Sequence, residues 1–290
     1  FAALTLFGDP STGTKNWRGV FLLYGVLGLV AAFAFWMIAR DTPSAHPGAN
    51  VAEAARVPTA GPIQASPIPW PQRLLALVAS HNMWLFGATQ FFVNIGWAFL
   101  VTSLPGYLTQ EFQVGLNDIG RMQTATLVSS CVGMVAGGLF ADAMYRRLGP
   151  RWGRAVPIAA VMFLCAGMYA IATLLKSPWP VIVALSLMAF LVDLSIPSIW
   201  AFAQDVGGRH VGAALGFGNM LGNFGAAASP IVLQLIRQNF GWDVAFLTCA
   251  GCFVLAGVCG LNLNALIPVT RDDLTASNSP DSDIESYQEP

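Results

Sequence analysis

The chain has 290 residues, 55% of them hydrophobic and 10% charged, with a formal net charge of −1. A soluble domain carries about 45–50% apolar and about 25% charged residues, so an ordinary soluble enzyme or binding domain is excluded. The apolar runs do not alternate as the strands of a spanning β-barrel do. They read as helices, which satisfy their own backbone hydrogen bonds in lipid.

In chain order, residues 1–7 read as the end of an earlier helix and residues 8–16 as a turn-rich stretch. The chain starts at Phe1 with no basic segment before its first apolar run, so a secretory signal is not expected. It reads instead as the C-terminal part of a longer protein. Seven runs reach the roughly 20 helical residues that a bilayer core needs: residues 20–38, 84–104, 119–141, 156–175, 181–202, 212–236 and 244–267. The expected fold class is an all-α membrane protein with seven transmembrane helices.

Residues 1–39 then hold the end of an N-terminal half with its last span. Residues 40–82 form a linker in which Pro43, Pro47, Pro58, Pro62, Pro67, Pro69 and Pro71 prevent regular helix. Trp70 and Arg73 at its end suit an interfacial helix that re-enters the bundle. Residues 83–267 form a six-helix bundle, and the polar, acidic residues 268–290 form a disordered tail.

Lys and Arg divide between the two sides of the membrane as nine against five. The richer side includes Arg146, Arg147, Arg151 and Arg154 in one tight loop, so that side, the linker and the C-terminus are expected in the cytoplasm, the membrane being the cell inner or plasma membrane. Cys131, Cys165, Cys249, Cys252 and Cys259 all fall in apolar segments and read as packing residues, with no metal, cofactor or nucleic acid expected.

Polarity within the spans has a period of three. The first, fourth and seventh are nearly free of polar groups at mid-depth. The others carry Gln90 and Asn94; Gln123, Thr126, Ser129 and Ser130; Asp193, Ser195 and Ser198; and Asn219, Asn223 and Ser229. Helices around a wet cavity tolerate such groups and helices facing lipid do not. A three-helix unit repeated twice, with each third helix peripheral, produces this order and matches the nested inverted repeats of secondary transporters.

Gln90, Asn94 and Trp97 at i, i+4 and i+7 share one helix face and suit either a solute cavity or hydrogen bonding between helices. Asp193 lies in the middle of an apolar span, where a carboxylate costs about 2.5–3.5 kcal/mol on insertion scales. It shares a stripe with Trp200 and Gln204, and Pro197 frees a backbone carbonyl near it. Its alternatives are proton or substrate coupling, or a protonated acid hydrogen-bonded to a neighbouring helix. The glycines at 212, 216, 218, 222 and 225 permit close helix approach, and in a transporter the sliding or bending of a gating helix. Gly138, Asp142, Arg146 and Arg147 read either as a charge relay locking helix ends or as plain topology-setting charge.

The G-x-x-x-D…R-R…G pattern of Gly138, Asp142, Arg146, Arg147 and Gly149 resembles the cytoplasmic signature loop of the major facilitator superfamily, in its second-half copy. Asn16-Trp17-Arg18-Gly19-Val20-Phe21 resembles the start of that fold's sixth helix. Asn94-Ile-Gly-Trp97 with Leu104-Pro-Gly-Tyr107-Leu108 is similar to the seventh-helix signature of the anion:cation symporter branch. Trp200-Ala-Phe-Ala-Gln-Asp205 and the run from Gly218 through Asn219, Gly222 and Asn223 to Ser229-Pro230 resemble that branch's tenth and eleventh helices. The resemblance implies helices six to twelve, the last six being the C-terminal bundle of the fold.

It further implies a proton- or sodium-coupled symporter of small organic anions such as sugar acids, with Trp200 and Asn219 at positions that contact substrate. The branch's main cationic groups are expected in the N-terminal half, the partner this chain lacks. The favoured reading is a carrier in the lipid bilayer with Gln90, Asn94, Trp97, Trp200, Asn219 and Asn223 contacting a small-molecule solute and Asp193 handling a proton. A carrier of neutral sugars, drugs or metabolites is the alternative. A retinal-type receptor would need a mid-span lysine, whereas Lys15 and Lys176 lie in loops. A membrane enzyme is not expected either, because His46, His81 and His210 lie in or beside loops.

Overall fold

The computed structural model describes residues 17–40, Gly48 and residues 70–269. The chain divides into two units, Phe1–Pro67 and Ile68–Pro290. The expectations for residues 1–16, for most of the linker and for the tail from 270 fall outside the described residues. In the first unit, helix α1 (Trp17–Ile38) runs for 22 residues, about 33 Å. Arg40 ends it by donating to the carbonyls of Ala39 at 2.7 Å and Trp36 at 3.3 Å, which have no partners within the helix.

The second unit comprises α2 (Trp70–Ala79), α3 (His81–Thr102), α4 (Leu104–Phe112), α5 (Leu116–Leu174), α6 (Pro178–Gly207), a 3-10 turn (Gly208–His210) and α7 (Val211–Leu261). Straight helices of 59 and 51 residues would cross a bilayer core more than twice. Each is broken at one residue instead. Gly149 has φ 75° and ψ 179°, and Gly241 has φ 86° and ψ 179°, a conformation open essentially to glycine alone. The chain reverses there, so α5 has limbs 116–148 and 150–174, and α7 has limbs 211–240 and 242–261. With α1, α3 and α6 this makes the seven expected spans.

Most helices run a few residues past the apolar runs, and two ends fall short of expectation. The run expected over 84–104 ends at Thr102, where Ser103 joins it to α4. The last span stops at Leu261 rather than 267, and Asn82 holds the segment beyond it. The Asn82 amide donates to the carbonyls of Asn264 at 2.6 Å and Ile267 at 3.2 Å, and its oxygen accepts from the Asn264 amide at 3.1 Å.

The helices of the bundle pack in three pairs, each with its own seam. Against α3, the first limb of α7 places Gly218 on Phe86, Gly222 on Asn94 and Gly225 on the Phe91 carbonyl, and Ser229 donates to the Ile95 carbonyl at 2.8 Å. The first limb of α5 packs on α6 in the same manner. Gly133 meets the Phe190 carbonyl, Gly137 meets that of Leu194, and Ser129 donates to the Ser186 carbonyl at 2.9 Å. The second limbs of α5 and α7 pair through Gly257 on Phe163, Gly260 on Ile158 and the stacked rings of Tyr169 and Phe253, 5.7 Å apart.

Numbered within each triplet, the first helix of one pairs with the second of the other, and the third helices pair together. A two-fold exchange of two three-helix units gives this pattern, and it accounts for the period-three polarity. The dry third helices do more than face lipid, however. Their inner sides build much of the apolar core, including fully buried Tyr169, Phe246 and Phe253, while Leu164, Leu174 and Leu247 stay exposed on the outside. Tyr169 donates to the Gly96 carbonyl at 2.6 Å, so its one polar atom is satisfied within that core.

Candidate functional site

A cavity of about 200 Å³ runs from mid-depth, at Ser130 and Ala189, to the end of α3 and Leu104 of α4, against the first limb of α5. Its polar lining comes from Trp97, Gln123, Thr126 and Ser130, and Ala189 of α6 closes its back. No Lys or Arg lines it. The Ser130 hydroxyl donates to Oδ2 of Asp193, which links α5 to α6 behind the cavity. Thr126 and Ser186 add a hydroxyl pair at 3.1 Å across the same seam. Among the described residues the ion pairs lie elsewhere, so Asp193 has hydroxyl rather than cationic company. Its own backbone carbonyl also lacks a helical donor, because residue 197 is proline.

The other candidates spread over the same side of the bundle without closing around one point. Asn94 donates its amide to the Gln90 carbonyl at 2.8 Å, and both residues rest on Gly222, where an added Cβ would lie 2.9 Å from Asn94 Nδ2. They therefore border the seam between α3 and α7, beside Trp97, which is 39% exposed. Asn223 donates to the Asn219 carbonyl at 2.8 Å, and both asparagines are exposed. Each of these bonds uses one amide N–H and leaves a side-chain carbonyl oxygen and a second N–H for another partner. Trp200 is 49% exposed, and Gln204, one turn further along, is exposed as well. The residues brought together are thus Gln90 with Asn94, Asn219 with Asn223, and Trp97 with Ser130, which in turn bonds Asp193.

At the arginine-rich end, Asp142, Arg146 and Arg147 are exposed, and Arg146 approaches only the backbone carbonyl of Asp142, at 3.5 Å. Gly138 faces open space. The ion pair at this end is a different one. Arg154 Nε donates to Asp205 Oδ2 at 2.8 Å, with the arginine side chain only 12% exposed and its guanidinium 4.4 Å above the Tyr145 ring. This pair ties the second limb of α5 to α6. Sequence reading missed it because 51 residues separate the partners.

The opposite end also departs from expectation. Arg237 falls beyond the apolar run that ends at 236, but helix continues to Phe240, so the arginine belongs to the last turns of the first limb of α7. A second cavity, of about 430 Å³, lies at this end and is lined by Tyr107, Glu111, Lys176, Trp242 and Asp243 among others.

A family model described as Major Facilitator Superfamily matches residues 2–230. The chain is 26% identical over 270 residues to a probable sulfoacetate transporter of Cupriavidus necator, covering 89% of the chain and 60% of that protein. It is 25% identical over 260 residues to a probable galactarate/D-glucarate transporter of Bacillus subtilis, covering 85% and 56%. A probable L-galactonate transporter of Escherichia coli is 24% identical over 250 residues, covering 83% and 53%. The chain therefore spans little more than half the length of the curated relatives it matches.

Proposed function

The chain belongs to the major facilitator superfamily, and from that premise we propose that it forms part of a secondary active transporter of small organic anions, working by alternating access. The two-fold exchange of helix pairs supports this reading, because it brings three of the four polar helices, α3, α5 and α6, to the mid-depth cavity. Relatives named as transporters of sulfoacetate, of galactarate and D-glucarate, and of L-galactonate support the solute class.

In this reading the six-helix bundle, residues 83–267, works with the N-terminal half of the longer protein, and its polar helices contact the solute. Gln90, Asn94, Asn219 and Asn223 meet solute hydroxyls and carboxylate oxygens with their unused amide groups, while Trp97 and Trp200 offer flat apolar faces. Asp193 takes and releases the coupling proton beside Ser130. An ionised Asp193 repels an anion and a protonated one does not, so proton and anion load together. The arginine-rich end and the C-terminus lie in the cytoplasm by the positive-inside bias. There the signature-loop residues Gly138, Asp142, Arg146 and Arg147 act with the Arg154–Asp205 pair as the gate that releases and re-forms.

The uncharged lining of the mid-depth cavity supports a second reading, a carrier of neutral hydroxylated solutes. Uptake of labelled sugar acids, dicarboxylates and neutral sugars by the full-length protein, with and without a pH gradient, separates the two. Accumulation of an acid driven by the gradient, and abolished in Asp193→Asn, is expected. Neutral-sugar uptake alone, or full gradient-driven accumulation by the variant, overturns the favoured reading.

A further inference from the structure

A third cavity, of about 300 Å³, opens at the end of the bundle away from the arginine-rich loop, between α4 and the first limb of α7. Its polar lining is Thr102, Ser103, Gln110, Gln234 and Arg237, with Trp242 as one wall. Arg237 is held from two sides. Its Nη1 donates to the Gln110 side-chain oxygen, and its guanidinium lies 5.1 Å from the centre of the Trp242 ring. No carboxylate pairs with it among the described residues. Its Nε–H is shut off from solvent and has no acceptor.

Arg237 as a whole is only partly buried, but a charged donor atom cut off from water is ordinarily satisfied, so its orphaned Nε–H beside a polar cavity points to a missing acceptor. A guanidinium presents a planar fork that matches an oxyanion through two parallel hydrogen bonds, and a neutral amide oxygen is a weaker partner. The Gln110 oxygen is thus a weaker partner for Arg237 than an oxyanion would be. Thr102 spends its hydroxyl hydrogen on the Ala98 carbonyl at 2.7 Å, and the Ser103 hydroxyl lies 3.4 Å from the Thr102 oxygen, a long contact that an incoming oxyanion can replace.

The neighbouring cavity makes a contrast. It shares Trp242 but carries Glu111 and Asp243 against the single Lys176. Burial, then those two carboxylates, push the Tyr107 phenol in α4 up to about 12. The joint between α3 and α4 connects the Arg237 cavity to the mid-depth one. Leu100, Val101 and Leu104 line the mid-depth cavity, whereas Thr102, Ser103 and Gly106 line the Arg237 cavity.

We propose that Arg237, with Ser103 and Gln110, forms a capture site for the carboxylate or other oxyanion group of an incoming solute, one helix joint away from the mid-depth cavity. The idea rests on the organic-anion reading for its ligand, and a phospholipid phosphate is the other source of the same chemistry.

The test uses the full-length protein in proteoliposomes of neutral lipid, and again with anionic lipid added, comparing wild type with Arg237→Gln and Arg237→Lys. Loss of a charge-assisted hydrogen bond should raise the half-saturation for the transported acid about tenfold in Arg237→Gln, on the Arg237 side of the membrane only. Arg237→Lys should fall between, and the maximal rate should hold. Equal half-saturation in wild type and Arg237→Gln overturns the proposal, as does a rise on both sides. A defect that appears only with anionic lipid assigns the site to a lipid headgroup and overturns solute capture. Thermal stabilisation of the purified protein by succinate and by inorganic phosphate keeps the two readings apart. If no acid is carried yet both anions stabilise wild type and not Arg237→Gln, the transport reading falls and the anion site stands. If neither anion stabilises wild type, the site falls.

Discussion

Gly137 and Gly138 are adjacent in sequence and opposite in consequence. A Cβ on Gly137 would lie 2.7 Å from the Leu194 carbonyl oxygen and 3.0 Å from Cδ of Pro197. That is short of comfortable contact by about 0.7 Å, and both neighbours are backbone or ring atoms that cannot swing away. Gly137→Ala must therefore part the first limb of α5 from α6. Overpacking of this kind costs about 1–3 kcal/mol, offset in part by the roughly 0.8–1 kcal/mol that alanine gains over glycine in a helix. The same separation strains the Ser129–Ser186 bond, and it pulls Ser130 from Asp193 two turns away. Gly138 has nothing within 4 Å of its added Cβ, so Gly138→Ala gains the propensity alone. The two variants should differ by about 2 kcal/mol in thermal or denaturant unfolding of the full-length protein, with Gly137→Ala the weaker. Equal stabilities would refute the seam geometry. A transport defect in stable Gly138→Ala would place the role of that glycine outside this bundle's own packing.

Tyr169→Phe removes the hydroxyl that the Gly96 carbonyl accepts in a fully buried site, and should cost about 1 kcal/mol with the fold intact, read as a lower melting temperature. The Arg154–Asp205 pair is partly shielded, so a double-mutant cycle with Arg154→Gln and Asp205→Asn should return a coupling of about 1 kcal/mol, discounted for the one-third exposure of the aspartate and reduced further by salt. A coupling near zero at low salt would leave the pair as an incidental surface contact.

The spans were legible because length and hydropathy decide them locally, and the repeat was legible because polarity marks which helices avoid lipid. The corners were only half legible. Gly149 is followed by Pro150, a recognisable stop, but Gly241 before Trp242 carries no such signal, and only the backbone reveals its φ of 86°. Asp193 stands out as a charge in an apolar run, yet its hydroxyl partner lies 63 residues away, and no local spacing predicts that. Arg237 was hidden for a simpler reason. A hydropathy window ends where charge begins, whereas the helix continues for another turn beyond it.

The glycine-rich first limb of α7 reads from sequence either as a close-packing helix or as one that slides or bends. Its seam favours the first. Gly218, Gly222 and Gly225 all sit against α3, where they make room for the Phe86 ring, the Asn94 side chain and the Phe91 carbonyl and let Ser229 reach the Ile95 carbonyl. Sliding one residue along this seam would set side chains such as Leu221 where only hydrogen fits, and cores so packed are bistable or fixed rather than smoothly deformable. The first limb of α5 is locked to α6 by the same device at Gly133 and Gly137. With both polar pairs pinned and the dry pair stacked behind them, the least costly motion is rotation of the bundle as one body against whatever faces its polar side. In the proposed carrier, gating would then fall to contacts at the two ends of the bundle, where Arg154 and Arg237 lie.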